Sequence, residues 1–229
     1  MKTVIITGAA GNMGAAVTRE FLEKQYRVVA VVANEKDRSE MPSHPNLVVE
    51  LANLTDEKGA SELVQHCINK FQVIDAALLL VGGFKMGDLE HTSVNDIREQ
   101  IALNFETAYN ITKPLFAHLV GKKRGSIIFI GARPAIQAAQ GKAMIAYSLS
   151  KSLLFKFAEF LNESAKGMNV AVSVVVPSTL DTPLNRKSMP DSNPEDWVKP
   201  TEVAETLEFL VSDKSKALKE TVLKIYNNA

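Results

Sequence analysis

The chain has little of several things, and each shortage removes a class of function. Its one cysteine, Cys67, excludes a disulfide within the chain and fits a reducing compartment. Neither sign of charge dominates: 26 basic residues balance 26 acidic ones. No block of like charge stands out that would hold nucleic acid or an anionic bilayer. No apolar run is long enough to span a membrane, and the short one at residues 4–6 cannot serve as a signal peptide. The histidines at 44, 66, 91 and 118 are scattered, no metal-ligand spacing occurs, and no repeat is visible. The expectation is a soluble, cytoplasmic, metal-free protein that acts on a small neutral or mildly charged molecule. With 229 residues, 46% of them hydrophobic, the chain suffices for one sizeable α/β core, a single domain over 1–229.

Chemistry is most visible in Tyr147-Ser148-Leu149-Ser150-Lys151. A spacing of four places the phenol and the ammonium on one helix face, a turn apart. A phenol ionises near pH 10, and a neighbouring positive charge favours the phenolate, so Lys151 is expected to make Tyr147 the better acid. Such a donor suits reduction of a C=O or C=N group. The spacing alone also fits an ordinary exposed helix face, and the rest of the chain decides between them.

Residues 4–7 form a β-branched run that meets glycine, and 15–25 follow with a helical period. Between them lies Gly8-Ala9-Ala10-Gly11-Asn12-Met13-Gly14, where glycines permit a tight turn and bring backbone close to a pyrophosphate seated on the helix amino terminus. A second buried strand spans 27–33. Its end distinguishes NAD from NADP in sites of this kind, an acid holding the ribose 2′-hydroxyl and a base the 2′-phosphate. Here Val32-Ala33-Asn34 supplies neither, and the alternating charges of 35–38 read as a solvated loop, so the choice between NAD(H) and NADP(H) stays open.

The pattern continues with a strand at 47–51, where Asn53 and Leu54 lie at the adenine end, and a capped helix at 56–71. A long apolar run, 73–81, opens into Gly82-Gly83-Phe84. Residues 93–120 carry one long helical period in which Pro114 predicts a kink or break. A strand at 125–131, the Tyr147 helix over 143–166 stopped by Gly167, and a strand at 171–176 without alternation come next. The proline-rich stretch 177–200 reads as a lid over the site. A helix at 201–212 and a strand at 221–226 close the chain. Strands alternating with helices predict a Rossmann-type, doubly wound α/β fold with a seven-stranded parallel sheet.

Taken together, the Thr7-Gly8 turn, Tyr147-x-x-x-Lys151 and the 177–183 segment resemble the short-chain dehydrogenase/reductase family over essentially the whole chain. Within it, Gly131-Ala132-Arg133-Pro134-Ala135, Val81-Gly82-Gly83-Phe84 and the run 179–190 are similar to the dihydropteridine reductases. The resemblance implies an NAD(P)(H)-dependent reduction with Tyr147 as proton donor, Lys151 tuning it and binding the nicotinamide ribose, and Asn104 in a proton relay. It also implies cofactor contacts from Gly8, Gly11, Asn12, Met13 and Gly14 at the pyrophosphate, and from Ala33, Asn34, Asn53 and Leu54 around the adenosine. Gly82 and Gly83 would pass beside the ribose, with Pro177, Leu180 and Thr182 at the nicotinamide end. A homodimer through the long helices is implied as well.

Three departures qualify it. Ala132 stands where most of the family has a serine that hydrogen-bonds the substrate oxygen, a loss worth about 10²- to 10³-fold where charge develops on oxygen. The pterin enzymes also lack that serine, their quinonoid acceptor being easily reduced. Val32 replaces the aspartate with which those enzymes hold NADH, and Phe84 replaces their tryptophan. A quinonoid dihydropteridine-like acceptor is the expectation, against a carbonyl reductase for another small substrate or a silent NAD(P)-binding regulator.

Overall fold

The computed structural model of the protein describes residues 1–228. Seven strands, β1 (Thr3–Thr7), β2 (Arg27–Val32), β3 (Leu47–Leu51), β4 (Ala76–Leu79), β5 (Arg124–Ile130), β6 (Asn169–Pro177) and β7 (Val222–Ile225), form one parallel sheet in the order β3-β2-β1-β4-β5-β6-β7. Its inner strands are β-branched and buried on both sides, which is why they carry no polar alternation. Ile5 stands opposite Val29 on β2 and Ala77 on β4, so β1 is the axis from which the sheet grows both ways. The reversal between β1 and β4 leaves a crevice at the carboxyl ends of these strands, where ligands of such sheets bind.

Helices cover both faces. On one, α3 (Glu57–Phe71), α5 (Thr107–Lys122) and α7 (Ile145–Ser164) pack through Leu63, Leu115, Leu119 and Leu154 onto Ile127, Phe129 and Val174. On the other, α1 (Asn12–Glu23) and α9 (Pro200–Val211) pack through Val17, Phe21 and Leu207 onto Ile6, Ala30 and Ile128. Among the described residues no helix is long and apolar enough to cross a membrane.

Local physics moves several expected boundaries. The charged segment after β2 is a short helix, α2 (Glu35–Glu40), because Asn34 caps it by accepting from the Asp37 N–H at 2.9 Å. The expected break at Pro114 is absent, and α5 runs through that residue. The interruption comes earlier, where α4 (Val94–Ile101) widens into a π-turn, Ala102–Glu106, before α5 begins. The run 73–81 yields only the four residues of β4, since the Ile74 N–H is taken by His118 Nε2 and Leu80 N–H by Thr7 Oγ1. Instead of one open loop, 177–200 contains α8 (Pro183–Ser188) and a 3₁₀ turn at Pro194–Asp196. It is closed on itself by a Leu180 to Val198 bridge and by buried Trp197. The remaining helix, α6 (Ala138–Gly141), is a single turn.

Candidate active site

At the end of β1 the glycine turn is dictated by space. Gly8 has φ +65°, and a Cβ on Gly14 would lie 2.1 Å from the Gly8 carbonyl oxygen, so α1 can approach β1 only as glycine. Gly11 caps α1, and Asn12, Met13 and Gly14 form its first turn, whose backbone N–H groups have no helical partner. The turn abuts the exit of β4: a Cβ on Gly8 would sit 3.3 Å from Val81 N.

Near this turn lie the residues expected at the adenosine end. Val32 is buried, while Ala33 and Asn34 are exposed. The Asn34 amide is committed to Asp37, whose Oδ2 accepts from it at 2.9 Å. Lys36 pairs with Glu40 and Arg38 with Glu35, which leaves both cations matched by acids. Asn53 is exposed and its Oδ1 accepts from Thr55, whereas the Leu54 side chain turns into the core and its carbonyl accepts from Asn110.

The reactive end is assembled at the exits of β4 and β5. The wide π-turn projects Asn104 inward, where it clamps the Gly83 backbone, Oδ1 accepting from the Gly83 N–H at 2.9 Å and Nδ2 donating to its carbonyl at 3.1 Å. The same amide reaches Gln100 Oε1 and Ser150 Oγ, and Ser150 Oγ in turn donates to the Tyr147 carbonyl at 2.7 Å. This brace joins α4, the β4 exit and α7. Lys151, four residues on, is 4% exposed and donates from Nζ to the Ile130 carbonyl at 2.8 Å. A Cβ on Gly82 would lie 2.7 Å from Asn104 Oδ1 and 3.0 Å from Lys151 Nζ, so Gly82 faces both.

Tyr147 is half-buried, and the exposed ring of Phe84 meets it edge-on with centroids 5.1 Å apart. The expectation that Lys151 lowers its pKa is corrected: burial pushes the phenol up to about 12 and holds Lys151 down at about 8. Desolvation is the cause of both shifts, since burial disfavours the charged form of each group. Tyr147 therefore stays a protonated donor through the neutral range.

Ala132, two residues beyond the end of β5, is buried and offers no hydroxyl. Pro177 closes β6 opposite Ile225; Leu180 bridges to Val198; and buried Thr182 caps α8, its Oγ1 accepting from Asn185 N–H at 3.2 Å. The structure thus brings Tyr147, Lys151, Asn104, Gly82 and Gly83 together and spreads the other expected residues along the same sheet edge. Sequence reasoning missed Gln100 and Ser150. Their signals were present, Gln100 one helical turn before Asn104 and Ser150 beside Lys151, but their meaning depends on the π-turn.

A family described as short chain dehydrogenase matches residues 2–193. Acetoacetyl-CoA reductase of Acinetobacter sp. (strain RA3849) is 26% identical over 227 residues, covering 93% of this chain and 91% of that protein. Dihydropteridine reductase of Dictyostelium discoideum is 24% identical over 230 residues, with 97% and 94% covered. Among solved structures, ElxO with NADP bound superposes with a TM-score of 0.91 at 21% identity, covering 98% of this chain and 96% of that one.

Proposed function

The chain belongs to the short-chain dehydrogenase family, and from that premise we propose that it is an NAD(P)H-dependent reductase of a flat, conjugated acceptor of the quinonoid dihydropteridine kind. The observation that carries this reading is the pairing of Tyr147 with an exposed aromatic ring, Phe84, beside a strand exit where Ala132 offers no hydroxyl. An aromatic face suits a planar acceptor, and the missing donor disfavours an alkoxide-forming ketone.

The chain fits a dinucleotide, because the glycine turn brings the amino terminus of α1 close against the exit of β1, where its first turn offers free donors. Gly8, Gly11, Asn12, Met13 and Gly14 would hold the pyrophosphate, and Ala33, Asn34, Asn53 and backbone at Leu54 the adenosine. Gly82, Gly83, Pro177, Leu180 and Thr182 would flank the nicotinamide half. When bound, the nicotinamide supplies the hydride. Tyr147 Oη gives the accompanying proton to the acceptor's nitrogen or oxygen, and the Lys151 ammonium stabilises the phenolate that remains. Asn104 fixes the β4 exit beside them, and the 177–200 lid keeps water out.

The relative that reduces an acetoacetyl thioester favours a second reading, a carbonyl reductase for another small substrate. Oxidation of NADH and of NADPH, measured with a quinonoid dihydropterin and with a β-ketoacyl thioester, separates the two. Tyr147→Phe should lower kcat by about 10²- to 10⁴-fold on the true acceptor. An unchanged rate in that variant would remove Tyr147 from the reaction.

The assembly proposed is a homodimer through α5 and α7. Tyr109, Leu149, Leu153 and Phe160 stay exposed on these helices, above the aromatic cluster of Phe105, Tyr109, Phe129 and Phe157.

A further inference from the structure

Three strand exits flank the Tyr147 helix, and each of them exposes apolar side chains among its polar ones. Adjacent strands lie about 4.8 Å apart, so the exits of β4 and β6 flank that of β5 from either side, about 10 Å from each other. The β4 exit shows Phe84 (59% exposed) and Met86 (61%), the β5 exit Ile136 (39%), and the lid after β6 Leu184 (65%) and Met189 (36%). Met86 is held close to the catalytic helix, because Gly87 pairs with the strand entering it, its N–H donating to the Ala143 carbonyl at 3.0 Å and its carbonyl accepting from Ile145 N–H at 2.9 Å. Phe84 touches Tyr147 itself.

Several charges on the same rim are paired internally. Lys85 binds Asp96 and Glu99. Arg186 makes a two-pronged bond to Asp181 at 2.6 and 2.9 Å, and His91 pairs with Asp88. Arg133 lies over the Tyr226 ring at 4.7 Å and donates to Gln137. Lys142, Lys187 and Lys199 are exposed, and so are the acids Glu90, Asp191 and Glu195. A polyphosphorylated tail would meet those acids beside the lysines, whereas an apolar group would cover side chains that now face water.

The geometry points to an acceptor whose reacting ring is flat and whose outward substituent is apolar and uncharged, selected by Phe84, Met86, Leu184 and Met189. The inference rests on the reading of Tyr147 as the proton donor to that ring. It adds what the other end of the molecule must be.

Two series test it: quinonoid 6-alkyl-dihydropterins and 2-alkyl-1,4-benzoquinones with chains of one to six carbons, plus one member of each ending in a carboxylate. Turnover is followed with NADH and NADPH, and binding is measured separately, in the absence of any nucleotide, with the fully oxidised 6-alkylpterins and the alkylhydroquinones. A fully buried methylene contributes about fourfold, so kcat/KM or affinity should rise about two- to fourfold per carbon in a partly open mouth. The carboxylate should undo the gain. Leu184→Ser with Met189→Ser, both on the exposed face of the lid, should flatten the slope. Affinity that climbs with chain length without turnover in either series would uphold the rim's role and remove the reductase reading. Turnover independent of chain length, or raised by the carboxylate, would overturn the inference and leave the reductase intact. Absence of both turnover and binding would overturn it too.

Discussion

Replacing Gly82 by alanine should disable the site while leaving the fold standing. The added methyl would lie 2.7 Å from Asn104 Oδ1, 3.0 Å from Lys151 Nζ and 3.6 Å from Lys151 Cε, and the first two contacts demand movement. Neither neighbour can move freely. Asn104 is held by both backbone groups of Gly83, by Gln100 and by Ser150. Lys151 is buried with the Ile130 carbonyl as its acceptor. Displacing one such bond leaves a buried polar group unmatched, at a cost of about 1–3 kcal/mol. For a chain of this size that lowers Tm by roughly 2–10 °C. The catalytic effect should be larger, since a misplacement of about 1 Å near reacting groups costs about 10²-fold. Steady-state NAD(P)H oxidation and thermal unfolding measure the two effects side by side. Gly121→Ala is the control: it sits in the last turn of α5 with nothing within 4 Å of the new methyl, and should gain about 0.5–1 kcal/mol with activity unchanged. A Gly82→Ala enzyme with kcat within about threefold of the parent would refute the argument that Asn104 and Lys151 are jointly fixed.

Lys151→Met should abolish turnover yet stabilise the protein below pH 8. Burial lowers this ammonium from its ordinary 10.5 to about 8, so the penalty is complete below pH 8 and fades as pH rises toward 10.5; relieving it should outweigh the loss of the donor to the Ile130 carbonyl by about 1 kcal/mol at pH 7, seen as a higher Tm. A lower Tm at pH 7 would mean that the bond to Ile130 outweighs desolvation. If the protonated lysine receives the nicotinamide ribose, nucleotide affinity should be flat below pH 8 and weaken above it, up to about tenfold per pH unit. Calorimetry at pH 8 in buffers of different ionisation enthalpy should then record proton uptake, and none would place the ribose away from Lys151. Leu153→Glu with Phe160→Glu should convert a dimer to monomer in light scattering, and a parent already monomeric would end that proposal.

What the sequence disclosed divides along physical lines. The strands buried on both faces were legible because continuous β-branched runs have few other uses, and the parallel, doubly wound arrangement followed from their alternation with helices. The Tyr147 and Lys151 pair was legible because a four-residue spacing has one meaning on a helix. Hydrogen bonds that depend on a departure from regular geometry were not. Residues 93–120 read as one helix with Pro114 as its weak point, since periodicity weighs only side-chain polarity. In the folded chain the proline is absorbed within α5, and the helix instead widens at residues 102–106. That widening turns Asn104 toward Gly83 and Ser150, and no pattern of apolar residues encodes it. Electrostatics failed in the same direction. A spacing rule counts the charge of Lys151 but not the water removed around it, so the predicted drop in the Tyr147 pKa became a rise. The consequence for catalysis is specific. A phenol held near 12 beside an ammonium held near 8 has its proton in place at neutral pH, and releases it only when the acceptor's developing basicity, together with the charge on Lys151, repays the burial of the phenolate.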